Sequence, residues 1–174
     1  MPEHPRSPPA RIVLVGFMGS GKTSVGTELA ALLRWSFLDL DRLIEERSGR
    51  SVAAIFRESG EPAFRALELL AARAAVAREQ CVIAAGGGAF ADRGTRETLL
   101  RGSVSVYLEC DLDTILARVP ADGSRPLAGN RATMRRLLLA REPSYRSAHL
   151  TVDASRGTPS ELALEIARAL RVPQ

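Results

Sequence analysis

Lysine is almost absent from this sequence. Of the 24 basic residues in its 174, Lys22 is the single lysine and every other one is arginine. A chain that places arginine wherever a cation will do, and lysine once, needs at that position something the flat guanidinium fork cannot offer. Cysteine is nearly as scarce. Cys81 and Cys110 each border an apolar run, so they read as buried reduced thiols and exclude a disulfide-stapled secreted scaffold. No stretch approaches the roughly 18 apolar residues of a membrane span. The first ten residues, MPEHPRSPPA, hold four prolines and no apolar core, so residues 1–10 read as a disordered arm rather than a signal peptide. The expectation is a cytoplasmic protein without a membrane partner. The formal charge of +4 is modest and the arginines form no run of five. That argues against a nucleic-acid footprint, while a basic balance suits small anionic substrates.

What is present suffices for one domain over residues 11–174, since 45% of the chain is hydrophobic and its length lies within the ~100–200 residues of a typical domain. RIVLV (11–15) is a short β-branched run that stops at Gly16, and apolar residues then recur at helical spacing from Thr23 to Leu33. Strands are also expected at 37–40, 81–85, 103–109 and 149–153. Helices are expected at 41–49, 51–58, 61–78, 93–101, 111–118, 131–141 and 159–171. Ser59 and Gly60 separate the helix at 61–78 from that at 51–58, and Pro62 suits a first turn. Strands alternating with helices imply an α/β fold, a parallel sheet covered on both faces.

Gly16, Gly21, Lys22 and Thr23 match the pattern G-x-x-x-x-G-K-[ST] between a strand and a helix, the setting a phosphate-binding loop requires. There the glycines let backbone N–H groups turn inward, the helix N-terminus adds partial positive charge, and Thr23 offers a hydroxyl to Mg²⁺. Lys22 supplies a compact charge on a flexible stem that reaches the β- and γ-phosphates of a nucleotide, which accounts for the lone lysine.

A phosphate loop names the donor and leaves the acceptor open. Asp39-Leu40-Asp41 ends the second strand, and spacing of two on an extended segment puts both carboxylates on one side. One carboxylate then suits a water on Mg²⁺ and the other a substrate hydroxyl, although Asp41 equally suits a helix cap. Arg65 has Glu61 four residues before it and Glu68 three after, the spacing of an ordinary helix-surface ion pair. Gly86-Gly87-Gly88 allows either a plain turn or a close approach of backbone to ligand. Arg141 lies near a helix end that Pro143 helps to terminate, where a cation also complements the dipole.

Taken together and in order, GFMGSGKT, DLD, Phe64-Arg65, GGG, SRPL and REPSYR resemble the shikimate kinase family over residues 11 to 170. The resemblance implies the three-layer α/β/α P-loop kinase fold of the nucleoside monophosphate kinases, with a five-stranded parallel sheet ordered 2-3-1-4-5. It implies transfer of a phosphoryl group from ATP to the 3-hydroxyl of shikimate, with one Mg²⁺, in aromatic amino-acid biosynthesis, by a monomer. The family's shikimate site falls on Asp41, Arg65, Gly87, Gly88 and Arg141, borne by helices at about 41–79. Its nucleotide site falls on Gly19, Ser20, Gly21, Lys22, Thr23 and Ser24, with Thr23 and, through water, Asp39 as the metal side. Arg125 matches its lid arginine, in a lid at about 119–130, and Lys22, Asp41 and Arg125 match its catalytic groups. On the adenine side, Arg118 and the segment Arg156 to Pro159 are similar to the family's contacts. The chemistry is coherent, because shikimate's one carboxylate calls for guanidinium forks and its hydroxyls for an acceptor such as Asp41. Two other readings share the fold. One is a gluconate or nucleoside monophosphate kinase, and the other is a non-catalytic nucleotide-sensing domain.

Overall fold

In the computed structural model, which describes residues 9–119 and 130–172, the apolar runs become strands because the sheet is buried on both sides. Strand β1 (Arg11–Val15) leads through the glycine loop into α1 (Lys22–Leu33), and β2 (Ser36–Asp39) into α2 (Leu40–Ser48) and α3 (Val52–Val76). Strand β3 (Cys81–Ala84) precedes α4 (Arg93–Leu100), and β4 (Val104–Glu109) precedes α5 (Leu112–Arg118) and α6 (Arg131–Tyr145). Strand β5 (Leu150–Asp153) and α7 (Pro159–Ala169) complete the fold. All pairings are parallel and the order is β2-β3-β1-β4-β5, as the family resemblance implies.

Strand order and register place the site. The chain leaves β1 for β2, returns to pair β3 with β1, and then crosses to β4 on the other side, which makes the carboxyl end of β1 a topological switch point. Ala84 stands opposite both Leu14 and Asp39. The segments that follow β1 and β3 and the acidic end of β2 therefore emerge side by side. Helix α1 packs on β1, β2 and β3 and against α7, while α3 packs on α4. Ile12, Val13, Leu14, Cys81, Val82 and Ile83 have no exposed surface. Both cysteines are buried free thiols.

Three expectations need adjustment. The helices expected at 51–58 and 61–78 form two arms of α3, joined at Gly60, whose φ of 77° and ψ of 174° break the helix where Pro62 would otherwise meet the preceding turn. Helix α6 does not stop before Pro143 but runs through it to Tyr145. Pro143 lies on the exposed side, and burying Met134 and Tyr145 on the other holds the helix through a residue that costs about 3 kcal/mol in a helix interior. Arg141 thus stands a full turn inside the helix. At the N-terminus, residues 1–8 lie outside the described residues, whereas Pro9 is buried and the Ala10 carbonyl accepts a hydrogen bond from Gln80 N at 2.8 Å. The expected arm therefore gives way to docked chain before residue 10.

Gly26 shows how closely α1 sits on the sheet. A Cβ there would come within 3.1 Å of Phe37 Cδ2 and 3.2 Å of Leu14 Cδ1, and closer still to Phe37 Cε2. Alanine favours a helix over glycine by about 1 kcal/mol, but overpacking costs roughly 1–3 kcal/mol. Gly26→Ala is accordingly expected to destabilise the protein by about 1 kcal/mol in urea denaturation, and a gain in stability would show that the helix can lift away.

Candidate active site

The loop between β1 and α1 is held by its own lysine. Lys22 Nζ donates to the carbonyls of Gly16 and Phe17, both at 2.9 Å. Gly21 caps α1 in the left-handed region (φ 93°) and supplies no side-chain acceptor, so the helix presents N–H groups for an anion to satisfy. Thr23 Oγ1 donates to Asp39 Oδ2 at 2.9 Å, tying the start of α1 to the end of β2.

Asp39, not Asp41, is the helix cap. Its Oδ1 accepts from the N–H groups of Asp41 (3.0 Å) and Arg42 (3.4 Å). Helix α2 begins at Leu40, one residue earlier than expected, and its cap is Asp39, two residues before Asp41. The two aspartates do not share an extended segment, yet both line one cavity of about 460 Å³ with Gly19, Gly21, Lys22, Thr23, Ser24, Gly87 and Arg141. Ser20 is the exception in the phosphate loop. Its side chain is buried and its N–H closes a turn onto Phe17 O at 3.2 Å.

The side chains of Thr23 and Asp39 offer hard oxygens, the donor type magnesium prefers. Among the described residues no three His, Cys, Asp or Glu side chains gather as a metal cluster. That matches a cation that keeps most of its waters and takes its remaining ligands from phosphates, so the residues present fit Mg²⁺.

Arg65 is no ordinary surface pair. Its Nη1 donates to Glu68 Oε2 at 2.6 Å, and its Nε and Nη2 donate to Glu61 Oε1 at 3.2 and 3.0 Å. Glu61 is exposed, but the Glu68 side chain is only 1% exposed. These bonds use three of the five guanidinium N–H groups, leaving two for a ligand. Burial pushes the Glu68 carboxyl up to about 7, with Arg65 pulling it down and Asp41 and Asp92 pushing it further up.

The glycine triplet is where these charges meet. A Cβ on Gly86 would come within 2.8 Å of Asp41 Oδ1 and 3.2 Å of Glu68 Oε1, and one on Gly88 would run into the Arg65 guanidinium. One on Gly87 would touch Arg141 Nη1 at 3.4 Å. Hydrogen on the α-carbons of Gly86 and Gly88 lets Asp41, Glu68 and Arg65 close on a single loop without giving way, while Arg141 approaches Gly87 at ordinary contact distance. Arg65 and Gly88 open onto an adjoining recess with Glu61 and Asp92, and Arg141 lines both this recess and the main cavity. The Arg141 guanidinium also lies 5.9 Å from the centre of the buried Phe17 ring, a cation–π contact that aims it.

The remaining expected residues stand apart from this centre. Arg118 donates from Nη1 to the Ala154 carbonyl at 2.9 Å, which joins the end of α5 to the loop holding Arg156, and Pro159 opens α7. Arg125 and most of the expected lid, residues 120–129, lie outside the described residues. Glu68, Gly86 and Phe17 were not among the expected site residues. Glu68 was visible only as a helical neighbour of Arg65, since burial rather than spacing sets its part.

The shikimate kinase family model matches residues 18–171. The shikimate kinase of Moorella thermoacetica is 45% identical over 166 residues, covering 94% of this chain and 95% of that protein. A solved shikimate kinase from Acinetobacter baumannii in complex with shikimate superposes with a TM-score of 0.89 at 38% identity, covering 94% of this chain and 93% of that one. A gluconokinase from Sinorhizobium meliloti reaches a TM-score of 0.59 at 20% identity, covering 95% of this chain and 94% of its own, and shares the fold alone.

The buried carboxyl makes a pH signature. Glu68 holds its proton more tightly folded (about 7) than at its ordinary value of 4.5, so the native state binds more protons between these values. Its contribution to stability is therefore greatest below pH 4.5 and declines as pH rises to about 7. The stability difference between wild type and Glu68→Gln should change with pH across that window and flatten above it, as read by urea unfolding at a series of pH values. A difference independent of pH would mean that Glu68 is ionised throughout.

Proposed function

The chain belongs to the shikimate kinase family, and on that premise we infer that it carries out the family's reaction. It transfers the γ-phosphoryl group of ATP to the 3-hydroxyl of shikimate, giving shikimate 3-phosphate and ADP, in the biosynthesis of aromatic amino acids. The observation that carries this reading is the convergence of Arg65 and Arg141 on the glycine triplet beside the phosphate loop. Two guanidinium groups there suit one carboxylate, and Asp41 in the same cavity suits a hydroxyl.

Each residue's part follows from its chemistry. The N–H groups of Gly19, Gly21, Lys22, Thr23 and Ser24 at the head of α1 hold the nucleotide phosphates, while the Lys22 ammonium balances charge on the β- and γ-phosphates. The Thr23 hydroxyl and, through water, the Asp39 carboxylate hold Mg²⁺, which when bound supplies charge neutralisation at the phosphates. Arg65, Arg141, Gly87 and Gly88 hold the substrate carboxylate. Asp41 accepts the hydrogen bond of the attacking hydroxyl and takes its proton as the new P–O bond forms and the bond to ADP breaks. A loose transition state asks little deprotonation early, so orientation is the larger part of what Asp41 does. Arg118, Arg156 and Pro159 form the adenine side, and Arg125, outside the described residues, is assigned to the transferring phosphate. Buried thiols suit a reducing compartment, in keeping with a cytoplasmic protein.

The test is ADP release in a coupled assay with shikimate, gluconate and nucleoside monophosphates as acceptors, joined to binding by the acceptor-site variants. Shikimate should be the acceptor, and turnover of gluconate in its place would overturn the reading. Arg141→Ala should weaken shikimate binding by about 2–4 kcal/mol with ATP affinity nearly unchanged. Arg65→Ala should do the same, with an added stability loss because Glu68 is left buried without its partner. Equal losses for both substrates would mean general damage to the fold.

A further inference from the structure

Tyr145 is fully buried at the inner side of α6, and a buried phenol needs a hydrogen-bond partner. Its Oη donates to the backbone carbonyl of Gly87. The Arg141 guanidinium, one helical turn back on the same face, lies close enough to pull the phenol's pKa down. Tyr145 therefore ties the helix that carries Arg141 to the glycine loop.

The carbonyl it holds is the informative one. The Gly87 carbonyl and the Gly88 N–H belong to one planar trans peptide and point in opposite directions. Fixing the carbonyl toward Tyr145 fixes the Gly88 N–H away from it and sets the plane of the loop against which both arginines rest. We infer that Tyr145 is a positioning residue for the acceptor, its hydroxyl fixing the Gly87–Gly88 peptide against the helix that carries Arg141. The inference rests on the shikimate kinase reading and assigns part of its acceptor specificity to a residue that does not line the cavity. Burial pushes the phenol up to about 12, with Arg141 and Arg65 pulling it down, so it remains a donor at neutral pH.

Tyr107 provides an internal control. Its ring lies 5.3 Å from that of Tyr145 and is equally deep in the core, but its own phenol lies near Glu142 and Glu109 rather than at the glycine loop. Tyr145→Phe and Tyr107→Phe each remove one hydroxyl from the same ring pair. Full-length wild type and both variants are compared in steady-state assays well below their melting temperatures. Tyr145→Phe should raise KM for shikimate about tenfold, with KM for ATP and kcat within about twofold of wild type. Tyr107→Phe should leave both KM values within about twofold even if it melts earlier. Unchanged KM values in Tyr145→Phe, an equal rise for both substrates, or the same split in Tyr107→Phe would overturn the inference while wild-type turnover of shikimate leaves the function intact. A wild type that does not turn over shikimate would overturn both.

Discussion

The ammonium of Lys22, held between the carbonyls of Gly16 and Phe17, is the interaction on which the rest of the site depends. It draws the start of α1 back over the carboxyl end of β1, so the loop stays folded with its N–H groups inward. The position follows from sheet order, because β1 is flanked by β3 on one side and β4 on the other, and the strand ends leave a crevice there. From that fixed point, register brings in Asp39 and the glycine triplet on neighbouring strand ends. A guanidinium at Lys22 would be wider and planar, and a loop closed on two backbone oxygens has little room for it.

Around the acceptor pocket the dominant physics is desolvated charge. Burying Glu68 is costly, and the cost shows as a carboxyl pushed up to about 7 even with Arg65 bonded to it at 2.6 Å. Buried ion pairs contribute little net stability, and replacing them by apolar groups is often neutral. The benefit lies elsewhere. With Glu68 on one edge and Glu61 on another, Arg65 cannot rotate freely, and its two remaining N–H groups are pre-aimed. Phe17 does comparable work for Arg141. Fixing these side chains before substrate arrives removes ordering entropy from the binding step.

Much of this was legible in the sequence, and the exceptions have physical causes. The glycine loop with its single lysine, the acidic pair and the order of strands and helices follow local rules that the sequence carries directly. Asp39 rather than Asp41 caps α2, because where that helix starts decides which side chain meets its free N–H groups. Pro143 misled because local propensity marks a helix stop, whereas burial of Tyr145 two residues later holds the helix. Arg65 could not be told from a surface pair by spacing, since the distinction is the burial of Glu68 against α4 and the glycine loop, a long-range property. Gly86 stood out only as part of a triplet, and its own need for hydrogen appears when Asp41 and Glu68 close on it.

The central claim is that the loop requires a compact ammonium and not merely a positive charge. The direct measurement is kcat for Lys22→Arg beside Lys22→Met, with circular dichroism to establish that both fold. Loss of one transition-state charge contact is worth on the order of 3–4 kcal/mol, so kcat should fall by roughly a hundredfold to a thousandfold in each, and shikimate affinity should change little. Near wild-type turnover by Lys22→Arg would contradict the account.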